Sequence, residues 1–168
     1  SICSYCDFCK ILHDEAWANE YLIHLENEIK EKYDNDPVKS IYIGGGTPSC
    51  LSIKDIKYLM EIVKKFNLSK LEEFTFECNI NDINEELLSI LRDSNVNRLS
   101  IGVESFNEEK LQFMDRYHDY EDVKKKISLI RKYGFNNINI DLIYGIPGES
   151  IKVLKRDIDL VLSLEPEH

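Results

Sequence analysis

Two cysteines near the start of the sequence have a spacing that suits a metal. Cys3-Ser4-Tyr5-Cys6 places two thiolates two residues apart, so both can point at one ion or one cluster from a tight loop. Taken alone, the pair reads as a zinc knuckle or a redox dithiol ahead of an iron–sulfur centre. The other cysteines shift that balance. A zinc site needs about four ligands, yet Cys50 follows a glycine turn and Cys78 follows a strand-like run, far from the first pair. Cys9 could in principle be a third ligand.

Two further groups could bind a small molecule. Gly44-Gly45-Gly46-Thr47-Pro48 has three successive residues without a Cβ, which lets backbone amides approach a ligand and adopt positive φ. It lacks the lysine and the following serine or threonine of a P-loop, so a phosphate site is unsupported. Glu77, Glu104, Arg116 and Asp141 offer the opposite charges needed to hold a zwitterionic amino acid and to accept hydrogen bonds from ribose hydroxyls. Each alone reads as a solvated surface charge. Glu77 and Asp141 stand out because each ends an apolar strand-like run, where a charge is not buried without a partner. His118, in a polar loop after Arg116, reads as an exposed imidazole, and nothing singles out His13 or His24.

The elements that must position these residues alternate. Trp17, Tyr21, Leu22, Leu25 and Ile29 recur at helical steps between Glu15 and Lys32. Val38 to Ile43 is a β-branched and aromatic run entering the glycine turn. Ser52 caps a helix with Ile53, Ile56, Leu59, Met60 and Val63 on one face. Strands are expected at Phe74 to Glu77, Arg98 to Val103 and Asn137 to Tyr144. Helices are expected at Glu85 to Arg92, Asp122 to Tyr133 (ended by Gly134) and Ile151 to Leu162. Strands alternating with helices imply parallel βα units, an α/β fold. In a parallel barrel the chemistry sits on the loops after the strands' carboxyl ends. The glycine turn, Glu77, Glu104 and Asp141 all fall there.

The chain of 168 residues suffices for one domain, 1–168, and no linker or repeat divides it. Its formal charge of −10 gives no basic footprint for nucleic acid or an anionic membrane. No apolar run is long enough to span a membrane and no signal peptide opens the chain, so a cytoplasmic protein with reduced thiols is expected. The sequence opens inside the cysteine motif and stops just after a helical pattern. It therefore reads as a fragment truncated at both ends.

Four blocks in order resemble one family: Cys3-Ser4-Tyr5-Cys6-Asp7-Phe8, Tyr42 to Ser49, Asn97 to Phe106, and Asn139 to Gly148. They are similar to the radical S-adenosylmethionine family, in the group of oxygen-independent coproporphyrinogen III oxidase and the related heme chaperones. The likeness spans nearly the whole chain. It implies a partial (β/α) TIM-like barrel with a [4Fe-4S] cluster and S-adenosylmethionine as cofactors. In that family a C-x-x-x-C-x-x-C motif holds three irons, and Cys3 and Cys6 match its last two cysteines. The first would precede Ser1.

By matching position, Tyr5 corresponds to the aromatic residue beside the adenosyl group, and Gly45, Gly46 and Thr47 to the contact with the methionyl part. Glu77, Glu104, Arg116 and Asp141 correspond to the remaining polar pocket residues. Position 104 is usually glutamine in the family, so Glu104 departs from the pattern. The oxidase subgroup has a further cysteine where this sequence has Phe8, which favours the chaperone-like subgroup. The resemblance thus implies heme binding and delivery. The alternative is oxidative decarboxylation of coproporphyrinogen III by a 5′-deoxyadenosyl radical. Heme or a porphyrinogen and an electron-donor protein are the implied partners, and the heme-binding segment of the relatives lies in a C-terminal domain absent from this sequence.

Overall fold

The computed structural model describes residues 5–6 and 12–168. They form α1 (Glu15–Lys32), β1 (Ser40–Ile43), α2 (Ile53–Val63), β2 (Glu73–Asn79), α3 (Glu85–Asp93) and β3 (Arg98–Glu104). Then follow α4 (Glu108–Phe113), α5 (Tyr120–Lys132), β4 (Ile138–Leu142) and α6 (Ile151–Leu162). The strands pair in the order β1-β2-β3-β4 and every pair is parallel. These are the parallel βα units that the alternation implied, since right-handed crossovers lay successive parallel strands side by side, and they form the partial barrel that the family resemblance implied. On the far edge of β4 the Ile140 amide donates to the His168 carbonyl at 3.0 Å and the His168 amide to the Ile138 carbonyl at 3.1 Å. That is the pattern of a further parallel neighbour.

Each helix starts on a side chain that accepts one of its unpaired amides. Asp14, Ser52, Asn84, Asn107, Asp119 and Ser150 do this for α1 to α6 in turn. Such a cap contributes about 1 kcal/mol. Asp119 and Asp122 form a reciprocal capping box, so α5 begins at Tyr120 rather than at Asp122. The six-residue α4 is absent from the sequence-based expectation, because six residues contain too little of an apolar period to register.

The sheet's outer face packs on the helices. Phe74, Phe76, Leu99, Ile101, Val103, Ile138 and Ile140 are buried there with Ile56, Leu87, Leu88, Val123 and Ile130 from the helices. In α1, of the apolar stripe only Leu22 is buried, while Trp17 and Tyr21 are 59% and 65% exposed. They overhang a cavity of about 1140 Å³ along β1. A helix that covers a sheet edge, instead of sitting between two neighbours, buries only part of its apolar face.

Candidate functional site

Successive strand residues point to opposite faces, so the inner face carries Tyr42 from β1, Glu73, Thr75, Glu77 and Asn79 from β2, and Arg98, Ser100, Gly102 and Glu104 from β3. Asn139 and Asp141 of β4 complete it. The register sets Glu77 beside Ser100, Ser100 beside Asn139 and Gly102 beside Asp141. Cross-strand hydrogen bonds bind this polar surface, from Tyr42 to Glu77 at 2.6 Å, Arg98 to Thr75 at 3.2 Å and Asn139 to Ser100 at 3.0 Å.

At the carboxyl ends of the strands the polar groups fall into three sets. In the first, Glu77 Oε2 accepts the Gly45 amide at 3.1 Å while Oε1 accepts the Tyr42 hydroxyl at 2.6 Å. Burial, with Glu77 next, pushes the Tyr42 hydroxyl pKa above its ordinary value. A Cβ on Gly44 would lie 2.7 Å from Glu77 Cδ and 2.7 Å from the Tyr42 ring, so glycine is what admits this carboxylate. Gly45 and Gly46 have φ of 80° and 54° and face open space. They are free to approach a ligand. Thr47 is half-buried and begins the short turn Pro48–Cys50.

In the second set, Glu104 Oε1 accepts the Tyr5 hydroxyl at 3.2 Å and Arg116 Nη2 at 3.3 Å, and Arg116 Nη2 also donates to the Tyr5 oxygen at 3.0 Å. The Glu104 and Arg116 side chains are each only 10% exposed. Burial raises the Glu104 carboxyl pKa; Arg116 and the Tyr5 hydroxyl oppose that, and Asp141 adds to it. A Cβ on Gly102 would fall 2.6 Å from Glu104 Oε1. In the third set, Asp141 is exposed but oriented: Asn139 Nδ2 donates to Oδ1 at 2.7 Å and Ser100 Oγ lies 3.4 Å from Oδ2.

Cys6 is half-buried and lines the same cavity as Gly44 to Thr47. Cys3 and Cys9 lie outside the described residues. Among the described residues, no three histidine, cysteine or acidic side chains group around one point. Cys50 is exposed. Cys78 is buried on the helix-facing side, and burial raises its thiol pKa strongly, so it is unsuited to bind metal as a thiolate. The cavity beside β1 reaches the glycine turn but not Glu77, Glu104, Arg116 or Asp141; the charged chemistry is on the inner face.

His118 corrects an expectation. Its ring nitrogens are enclosed rather than exposed, because the chain doubles back after α4 and sets the His118 ring against the Val103 and Ser105 backbone. Burial, with Arg116 nearby, holds its pKa below the ordinary value. Tyr42, Ser100 and Asn139 were missed as site residues. The signal was the two-residue polar alternation in Glu73 to Asn79, Arg98 to Glu104 and Asn139 to Asp141. Strands buried on both faces read as continuous apolar runs instead.

The Radical SAM superfamily model matches residues 1–161. The chain belongs to this superfamily. It is 39% identical over 168 residues to the heme chaperone HemW of Lactococcus lactis, covering 99% of this chain and 44% of that protein. It is 40% identical over 172 residues to HemW of Bacillus subtilis, covering 99% and 45%. Among solved structures, coproporphyrinogen III oxidase (HemN) from Escherichia coli superposes with a TM-score of 0.90 at 31% identity, covering 99% of this chain and 40% of that one. The radical S-adenosylmethionine methyltransferase TsrM of Kitasatospora setae shares the fold, with a TM-score of 0.63 at 17% identity. The chain thus spans less than half the length of these relatives. Membership of the superfamily implies S-adenosylmethionine and a [4Fe-4S] cluster. No described helix is long and apolar enough to cross a membrane.

Proposed function

We propose that the mouth of this sheet holds a [4Fe-4S] cluster and S-adenosylmethionine, and that the protein serves heme binding and delivery. One observation carries the cofactor site: Tyr5, adjacent to Cys6, is hydrogen-bonded to the Glu104–Arg116 pair at the end of β3. Tyr5 thus reaches the polar inner face, and this contact supports a cofactor held between Cys6 and that face. Its charges suit the ligand. Glu77, Glu104 and Asp141 outweigh Arg116, and S-adenosylmethionine, with ammonium, sulfonium and carboxylate groups, is net positive.

In this proposal Cys3 and Cys6 ligate the cluster, and the backbone at Gly45, Gly46 and Thr47 approaches the methionyl part. Arg116 attracts the carboxylate, Glu77 faces the ammonium, and Glu104 and Asp141 accept ribose hydroxyl protons. Tyr5 lies beside the adenosyl group. When bound, the cluster supplies the electron that breaks a sulfur–carbon bond of S-adenosylmethionine. The protein's own part is to orient the cofactor and exclude water.

Phe8, where the oxidase subgroup has a cysteine, and the relatives named heme chaperone favour heme delivery. The fit to HemN supports coproporphyrinogen oxidation as the second reading. An electron-donor protein and a cytoplasmic setting that keeps the thiols reduced belong to either. The test is anaerobic reconstitution of the protein in its full natural length, with heme titration and a coproporphyrinogen decarboxylation assay on the same preparation. Heme binding without decarboxylation supports the chaperone; turnover to protoporphyrinogen overturns it in favour of the oxidase.

A further inference from the structure

Lys110 is a buried cation outside the cofactor mouth. Its Nζ donates to Glu149 Oε1 at 2.6 Å, Asp157 Oδ2 at 3.0 Å and the Ile143 carbonyl at 2.8 Å. The three side chains are 3%, 6% and 2% exposed. Such a cluster, whole, is a weak source of stability, because desolvation offsets most of the attraction. Its value lies in what it holds in register. Asp157 on α6 also accepts the Ser105 hydroxyl at 2.6 Å and the Phe106 amide at 2.9 Å, and Glu149 accepts the Gly145 amide.

Those bonds converge on Glu104. Its φ is 70°, in the left-handed region that a side-chain-bearing residue occupies only at a cost, and the β3–β4 register shifts there. The Glu104 carbonyl accepts the Ile143 amide at 2.9 Å, and the Ile143 carbonyl in turn accepts Lys110. The next residue, Ser105, is held by Asp157, which also accepts Lys110. The unfavourable backbone is thus tied twice to one ammonium group, through the Glu104 carbonyl and through Ser105.

We infer that Lys110, with Asp157 and Glu149, is a positioning residue for the S-adenosylmethionine site: it holds Glu104 in its left-handed conformation and so aims that carboxylate at Tyr5, Arg116 and the cofactor. This rests on the cofactor reading above, but the brace itself has a readout free of cofactor.

The test uses the protein in its full natural length, reconstituted anaerobically, with S-adenosylmethionine as the probe. Lys110→Met and Ser105→Ala are made alone and in combination with Glu104→Ala. Hydrogen exchange is followed at the Phe106 and Ile143 amides, with Phe76 as a core reference. Each single variant should speed exchange at Phe106 and Ile143 and leave Phe76 protected, and should weaken S-adenosylmethionine binding by about tenfold. In the Glu104→Ala background neither should weaken binding further. Equal losses in both backgrounds, or unchanged exchange at both amides, would overturn the inference. Should Lys110→Met fail to fold, Ser105→Ala carries the cycle alone, since it removes one hydroxyl without stranding a charge. If the unsubstituted protein does not bind S-adenosylmethionine, the cofactor reading fails, while the exchange data still decide whether the brace holds Glu104.

Discussion

The two faces of the four strands carry opposite chemistry. On the outer face Phe74, Phe76, Leu99, Ile101 and Ile138 are wholly buried against helices. On the inner face, one residue away along each strand, stand Thr75, Glu77, Ser100 and Asn139: Arg98 donates to Thr75, Tyr42 to Glu77 and Asn139 to Ser100. A parallel barrel that served only as a scaffold would fill its interior with branched apolar side chains. The outer face accordingly supplies the stability, whereas the inner face gives up apolar packing to present aimed polar groups.

That division is broken first by the largest expected effect. Phe76→Ala should destabilise the fold by about 3–5 kcal/mol through lost transfer free energy and a residual cavity, measured by denaturant unfolding. A loss below about 1 kcal/mol would mean that the outer face is not the source of stability. On the inner face the cost should appear in ligand binding instead. Asp141→Ala should weaken S-adenosylmethionine binding roughly ten- to a hundredfold, as a charge-assisted hydrogen bond worth about 1.5–3 kcal/mol is lost. Its unfolding free energy should change by less than about 0.5 kcal/mol. Calorimetric titration beside urea unfolding separates the two; a stability loss matching that of Phe76→Ala would erase the distinction between the faces.

Smaller effects sharpen the boundary between the faces, where charged groups are buried. Glu104 has a raised pKa, so its ionised form opposes folding. That penalty is absent below the unfolded carboxyl value and complete above the folded one. Glu104→Gln should therefore raise the melting temperature near neutral pH, with a gain that fades as the solution is acidified. A gain that does not fade on acidification would point away from the carboxyl charge. His118 has the opposite proton balance from Glu104. Its folded-state pKa is depressed, so the unfolded chain takes up the proton first and stability falls as pH drops through about 6.5. His118→Gln should flatten the melting profile across that range, and an unaltered slope would mean that the imidazole is not buried as neutral.

The sequence showed its periodic parts well. Glu15–Lys32 and Ile151–Leu162 have the expected limits because several turns of pattern and a capping side chain mark them. Parallel pairing in chain order followed from the alternation alone. The glycine turn and the acidic residues stood out in the sequence as candidates, since their types are unusual at strand ends. What stayed hidden depends on contacts between distant segments. Lys110 looks like an ordinary helix surface residue until Glu149 and Asp157, more than thirty residues on, close around it. His118 sits in a polar stretch, and only the reversal after α4, with Asp115 at φ 58°, turns it inward. Tyr42 reads as a strand aromatic until its hydroxyl meets Glu77 in the neighbouring strand.

The most direct test of the inner-face site is a crystal structure of the protein in its full natural length, reconstituted anaerobically and soaked with S-adenosylmethionine. The expected result places the cofactor over the carboxyl ends of β1 to β4, its ribose between Glu104 and Asp141 and its methionyl part against Gly45 and Gly46. Cofactor density against Trp17 and Tyr21 of α1, out of contact with Glu104 and Asp141, would contradict the account.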